Sequence, residues 1–189
     1  GVFADHRILF SSYVSPSWDM LVILRFGRYV DLARWRAIER KDPGGLGPEA
    51  LQLGAPVSTQ VADAMWEDTA PDRDPSTAVY LVIPYEYPDR ARYKNYVDVY
   101  VLPQMKGWLK ERATSGYTVF LNHNDAGPAW DSLLVLEYRD LAALGRRRVV
   151  VDKVRGELRN DPGWRTVSDV KGEFREEGEV VQAEPILPR

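Results

Sequence analysis

Residues 117–140 read Tyr-Thr-Val-Phe-Leu-Asn-His-Asn-Asp-Ala-Gly-Pro-Ala-Trp-Asp-Ser-Leu-Leu-Val-Leu-Glu-Tyr-Arg-Asp. Two apolar runs, Val119–Leu121 and Leu133–Leu136, stand either side of a polar Asn-His-Asn-Asp-Ala-Gly-Pro segment. Such runs around an Asn-, Gly- and Pro-rich segment predict two paired strands joined by a loop. The pattern recurs near the start of the chain, where Ile8–Phe10 and Met20–Leu24 flank Ser-Ser-Tyr-Val-Ser-Pro-Ser. The copies align on Pro16-Ser17-Trp18-Asp19 and Pro128-Ala129-Trp130-Asp131, so that Trp130 stands 112 positions after Trp18.

Working outward, His6–Val14 and Trp18–Arg28 form the first strand pair. Asp31 is placed to cap a helix to about Arg40, with Leu32, Trp35 and Ile38 on one face. A breaker cluster at 42–48 is loop. Val61, Ala64 and Met65 then suggest a second helix over about Ser58–Glu67. The polar stretch Thr69–Ser76 is the internal boundary, dividing the chain into 1–76 and 77–189.

Ala78–Tyr87 predicts a strand apolar on both faces, with Val79, Leu81, Ile83, Tyr85 and Tyr87 on one and Tyr80, Val82 and Pro84 on the other. A strand of that kind is covered on both sides. Asp89 caps a helix to about Arg112 that Pro103 must kink, because proline lacks the N–H a helix needs there. After the central hairpin, Asp140 caps a helix carrying Leu141, Leu144, Val151, Val154 and Leu158. Asp161-Pro162-Gly163 opens another, and Glu179–Ile186 is a last strand. From residue 78 onward the order is strand, helix, strand, strand, helix, strand, which is the split βαβ or ferredoxin-like order. The N-terminal copy supplies two strands and two helices and lacks the opening strand and helix of such a module.

Composition bounds function more than it defines it. The chain has 189 residues, 44% of them hydrophobic, with a formal net charge of −3 and no cysteine. That charge argues against a nucleic-acid partner. No apolar run reaches the roughly 20 residues of a membrane span. Without cysteine there is neither a disulfide nor a thiolate ligand or nucleophile. The chain begins with Gly, so the lack of a signal peptide says nothing about compartment.

On these features the chain resembles the dimeric α/β-barrel superfamily, in which two ferredoxin-like modules pack sheet to sheet. Residues 78–160 are similar to a group of mostly exported bacterial proteins of unknown function. That likeness rests on the strand ending at Tyr87, Asp89-Arg90-Ala91, Pro103, Gly116, His123, the hairpin returning at Trp130, and Asp140-Leu141-Ala142. The resemblance implies an α+β protein, a tandem of two ferredoxin-like modules with the first incomplete. Antiparallel sheets would carry helices on one face, and the two modules would pair as a pseudo-dimer within the chain. A homodimer is the other arrangement it allows, and an exported or periplasmic location follows from the likeness alone. The wider superfamily includes cofactor-free monooxygenases, haem-dependent enzymes, isomerases and proteins without known chemistry, so fold does not fix function.

The candidate ligand-binding residues are Tyr85, Tyr87, His123, Trp130 and Asp131. Tyrosines near a strand end can line the mouth of a pocket for an apolar or aromatic ligand. The repeated Trp-Asp pairs fit equally the sealing of a hairpin, with indole packed and carboxylate bonded to backbone N–H groups. His123 alternates with Val119 and Leu121 and has the proton affinity of a general base or ligand. Its counterpart in the first copy is Ser11, and no second His or Cys stands near it, which disfavours a metal site. Glu86 and Glu137 are a candidate carboxylate pair. The leading expectation is a small-molecule-binding protein with a pocket between sheet and helices and no cofactor. The alternatives are a cofactor-independent oxygenase or isomerase using His123, and a structural protein that pairs through its sheet face.

Overall fold

The structure is a computed structural model and describes residues 1–14, 17–123 and 130–186. One antiparallel sheet runs through it. Its strands are β1 (Asp5–Ser11), β2 (Met20–Arg25), β3 (Ala62–Thr69), β4 (Val79–Glu86), β5 (Thr114–Asn122), β6 (Ser132–Tyr138), β7 (Glu176–Glu177) and β8 (Val181–Pro185). Their order is β2-β1-β8-β4-β6-β5-β3, with β7 also on β4. Strands β8-β4-β6-β5 reproduce the ferredoxin-like order expected from residue 78 onward. The curled sheet and its helices form an α/β-barrel-like, half-barrel arrangement. Residues 124–129, over which the sequence predicts a loop, and Pro16 and Pro128 of the repeated motif, lie outside the described residues.

The apolar alternation of β4 divides two cores. Leu81 and Ile83 face the helices with Val119, Leu121, Leu134 and Leu136, while Tyr80 and Val82 face the concave side with Leu9, Leu133, Val135 and Ala183. The helical layer comprises α3 (Arg90–Tyr96), a π turn (Val97–Val101) and α4 (Leu102–Lys110), then α5 (Leu141–Gly145), α6 (Arg147–Leu158) and α7 (Pro162–Asp169). Three carboxylates cap as their positions require: Asp89 accepts from Arg92 N–H, Asp140 from Ala143 N–H, and Asp161 from Gly163 and Trp164 N–H.

Pro103 produces an irregularity rather than a break. The turn before it widens to π geometry, a common adjustment where an intrahelical donor is missing. The Tyr100 carbonyl in that turn accepts from Gln104 Nε2 at 2.8 Å and from the indole of Trp164 at 3.1 Å. A local defect thereby becomes the anchor of α7. Nearby, α4 meets α6 at Gly107, where a Cβ would lie 2.5 Å from Val154 Cγ1.

The N-terminal part departs from expectation at one element. The helix expected over 58–67 is the strand β3, paired with β5 from Ala62 opposite Asn122 to Thr69 opposite Gly116. Its Ala, Met and Glu residues favour helix, but β5 offers a complete ladder of donors and acceptors, and tertiary pairing outweighs weak local preference. The N-terminal order is therefore strand, strand, α1 (Asp31–Lys41), the short α2 (Pro48–Leu51), strand. Asp31 lies inside α1 rather than before it. Arg28 donates to its carboxylate and holds it below the usual range, with Arg34 adding to the effect. No helix among the described residues is long and apolar enough to cross a membrane.

Candidate functional site

Four of the five candidate residues meet where β4 ends and β6 begins. Asp131 donates its N–H to the Tyr85 carbonyl at 2.9 Å and accepts the Tyr87 N–H on its carboxylate at 2.9 Å. Trp130 packs against the concave core, and its carbonyl accepts from Asn122 Nδ2 at 3.0 Å. Tyr87 stacks on Tyr93 at 4.6 Å, and the Arg175 guanidinium lies 4.8 Å from the Tyr85 ring centre. Burial pushes the Tyr85 and Tyr93 hydroxyls well above the usual phenol range. These groups tie β4 to β6 and are occupied in doing so.

The ring stack continues inward. Tyr93 meets Tyr96, Tyr96 stacks on Tyr100 at 5.3 Å and on Phe174 at 5.5 Å, and Tyr100 stacks on Trp164 at 5.0 Å. Aromatic side chains thus pack as one continuous cluster between sheet and helices. Such stacking is worth roughly 0.5–1.5 kcal/mol per ring pair beyond the area buried.

His123 stands apart from them. It follows the last residue of β5 and donates its backbone N–H to the Val61 carbonyl at 2.8 Å. Its Nδ1 lies 3.5 Å from Asp63 Oδ2, and its Nε2 lies 3.5 Å from the Tyr29 hydroxyl. The Tyr29 and His123 rings are 5.4 Å apart. With hydrogen on Nδ1 the imidazole would donate to Asp63, since a carboxylate only accepts, and Nε2 would accept from the Tyr29 phenol. The imidazole side chain is 40% exposed, so the site is open to solvent.

Tyr29 also begins a depression of about 350 Å³ along α1, lined by Val30, Leu32, Ala33, Arg36 and Arg40. The arrangement joins an imidazole, a phenol, apolar side chains and two cations. Sequence reasoning singled out His123 and missed its partners. Tyr29 sits in a turn without a pattern. Asp63 was assigned to a helix; as part of β3 it stands directly opposite Leu121, two residues before His123.

The other candidate carboxylates do not meet. Glu86 is exposed at one end of β4, whereas Glu137 pairs with Tyr80 toward the other end and is 2% exposed. Glu137 receives Arg73 through two bonds of 2.5 and 2.7 Å, Ser115 Oγ at 2.7 Å and the Tyr80 hydroxyl at 2.8 Å. Arg7 stands 3.9 Å away. Burial pushes the carboxyl up, but the donors from Arg73, Ser115 and Tyr80 outweigh it and leave it below its ordinary value. The Tyr80 hydroxyl is pushed up to about 12 by burial and by the Glu137 charge. This is a satisfied ion pair that pins the connector after β3 to the sheet.

Among the described residues no three His, Asp or Glu side chains converge as a metal site needs. No family model matches the chain, and no curated protein matches its sequence. Solved structures that resemble it include two that match nearly the whole chain. One, from Fusobacterium nucleatum, bears the name "Putative monooxygenase"; it has a TM-score of 0.57 at 8% identity, over 98% of this chain and 78% of its own. The other, named an anthrone oxidase-like protein, has a TM-score of 0.60 at 10% identity, over 100% of this chain and 80% of its own. At such identities the likeness shows the fold, an α/β-barrel-like one, and leaves the chemistry to this chain's own residues.

Proposed function

We propose that the protein binds a small aromatic, weakly acidic molecule along α1 and presents its acidic proton to His123. The observation that carries this reading is the Asp63–His123–Tyr29 relay at the mouth of a groove that also holds Arg36 and Arg40. The apolar floor of Val30, Leu32 and Ala33 suits a ring, and the guanidinium groups suit the anion left when its proton departs. Of the residues singled out in the sequence, only His123 touches the ligand. Tyr85, Tyr87, Trp130 and Asp131 keep the sheet end in register.

A catalytic form of this reading is favoured by the same pair of bonds. A base fixed in one tautomer by a carboxylate removes a proton from an activated C–H or O–H, and the proton resides on Nε2. Such a step is the opening one of an isomerase or a cofactor-independent oxygenase, and a positioned base contributes roughly 10²–10⁴-fold. Neighbours bearing monooxygenase and anthrone oxidase names make anthrone a sensible first probe. Salicylate and anthrone should be titrated while the backbone amides of Tyr29, Val30 and Ala33 are followed by NMR. Shifts confined to that groove and abolished in His123→Ala and Arg36→Ala support the site. Shifts at Tyr85 and Tyr87 instead, or none, overturn it. Anthrone consumption in air, lost in His123→Ala while binding persists, would identify the base.

The architecture supports a companion reading, that 1–76 and 77–189 are two ferredoxin-like modules paired within one chain. On this reading β1, β2, α1 and β3 correspond to β5, β6, α5–α6 and β8. The supporting observation is reciprocity: β1 pairs with β8, and β5 pairs with β3, so each module lends its matching strand to the other's last strand.

A further inference from the structure

Seven strands lie in one path, and every neighbouring pair along it is antiparallel. Alternation over an odd number of strands leaves the two edge strands, β2 and β3, pointing the same way. Two antiparallel-bonded edges with a common direction are completed by one strand running opposite to both. The same sheet contains that arrangement already: β4 runs antiparallel between β6 and β8.

The edges also approach one another. Arg25 at the end of β2 reaches Glu67 of β3 with two bonds of 2.8 and 2.6 Å. Side chains can meet in that way only across a narrow slot, and one strand between two others needs about 9.6 Å, twice the usual spacing. Outside the sheet, Phe10 is 51% exposed and Met20, Val22 and Ile186 are 40–48% exposed. Phe10 stands opposite Met20 and Ile8 opposite Val22, and Ile186 bonds to the Ile8 carbonyl, so these residues form one continuous apolar patch. The equivalent surface of β5 and β6 is covered by α3 and α4.

We infer that a strand–helix unit, contributed by polypeptide N-terminal to Gly1, fills both vacancies: its strand pairs antiparallel between β2 and β3, and its helix covers the Phe10–Met20–Val22 patch. The observed counterpart is β4 followed by α3 and α4, which leads into β5 through Glu111–Ala113, and β1 stands where β5 stands. That counterpart is about 35 residues long. The helix must be amphipathic, with an apolar stripe toward β1 and β2. The strand must accept Arg25 and Glu67 beside it on the concave face.

The bonds Ser11 N–H to Asp19 and Ala70 N–H to Ser115 fix which amides point outward. By alternation these are Val22 and Leu24 on β2 and Glu67 and Thr69 on β3, of which Thr69 already donates to the Asp68 carboxylate at 2.8 Å and is set aside. Hydrogen exchange should be compared between the 189-residue chain and the same chain carrying the residues that precede Gly1 in its own gene. The inference expects the amides of Val22, Leu24 and Glu67 to exchange at least tenfold more slowly in the longer protein, with both proteins sedimenting as monomers. Phe10→Asp should then lower protection in the longer protein and leave the shorter one unchanged. Three results overturn it: no strand–helix sequence before Gly1, equal exchange in the two proteins, or protection already present in a 189-residue chain that sediments as a dimer. None of these readouts depends on ligand binding at His123, so this inference and the proposed function fail separately.

Discussion

Replacing Arg73 with Ala should destabilise the protein by about 3–4 kcal/mol, and the reasoning turns on what is left behind. Glu137 loses its two contacts of 2.5 and 2.7 Å with Arg73 but keeps its charge in a site where it is 2% exposed. Removing one partner of a buried pair costs roughly 3–5 kcal/mol, because the survivor is neither solvated nor neutralised. The lower part of that range applies here. Ser115 and Tyr80 still donate, and Arg7 at 3.9 Å is 31% exposed and can move closer. Replacing both Arg73 and Glu137 with Met should cost less than Arg73→Ala alone, since a packed apolar pair needs no solvation. The assay is urea unfolding at pH 7. With a slope of about 2–3 kcal/mol/M, the Arg73→Ala midpoint should fall by roughly 1–2 M without a change in slope. A fall below about 0.3 M, or a double variant weaker than the single one, would refute the view that Glu137 depends on Arg73.

The pH dependence carries its own sign. The folded-state carboxyl of Glu137 lies below its ordinary 4.5, so its stabilisation is present above that value and is lost as pH falls through the lower folded one. Glu137→Gln should therefore flatten the loss of stability below about pH 4.5, measured by urea midpoints from pH 6 to 3. Gly107→Ala should cost roughly 1–3 kcal/mol, because its methyl would enter Val154 and push α4 from α6; a wild-type melting temperature would show that the crossing gives way freely. Trp130→Ala should cost about 3 kcal/mol by thermal unfolding, the low end for an aromatic residue since it is only partly buried. Asp89→Ala removes a cap of 2.6 Å and should cost about 1 kcal/mol, with exchange accelerating first at Arg92.

What the sequence disclosed follows from how strongly each element is constrained locally. Ala78–Tyr87 is apolar on both faces, which only a doubly covered central strand explains, and it lies between β6 and β8. Asp89, Asp140 and Asp161 announce helix starts because a carboxylate before an amphipathic run has one common use. β3 was hidden for the opposite reason. An edge strand with one partner carries little apolar signature, and the spacing of Val61, Ala64 and Met65 mimics a helical face. That single misreading also concealed the candidate site, since a helix would not have brought Asp63 opposite Leu121. Glu137 was visible as a carboxylate but not as the partner of Arg73, 64 positions away, because only the folded connector brings them together.

Glu137 and His123 stand in opposite surroundings. At Glu137 every acceptor position is engaged and the surroundings are closed, so the charge is fixed and serves folding. At His123 the contacts are 3.5 Å, the ring is partly open, and one nitrogen faces a phenol beside a groove, as the proposed base requires. Contacts of that length tighten when a ligand arrives in many sites built for proton transfer. Stability variants at Glu137 should therefore leave anthrone or salicylate binding unchanged at a temperature where they are folded. Variants at His123 should melt like the wild type. If His123→Ala instead destabilised the protein by 2 kcal/mol or more, the Asp63–His123–Tyr29 contacts would be structural, and the proposed base would have to be sought elsewhere.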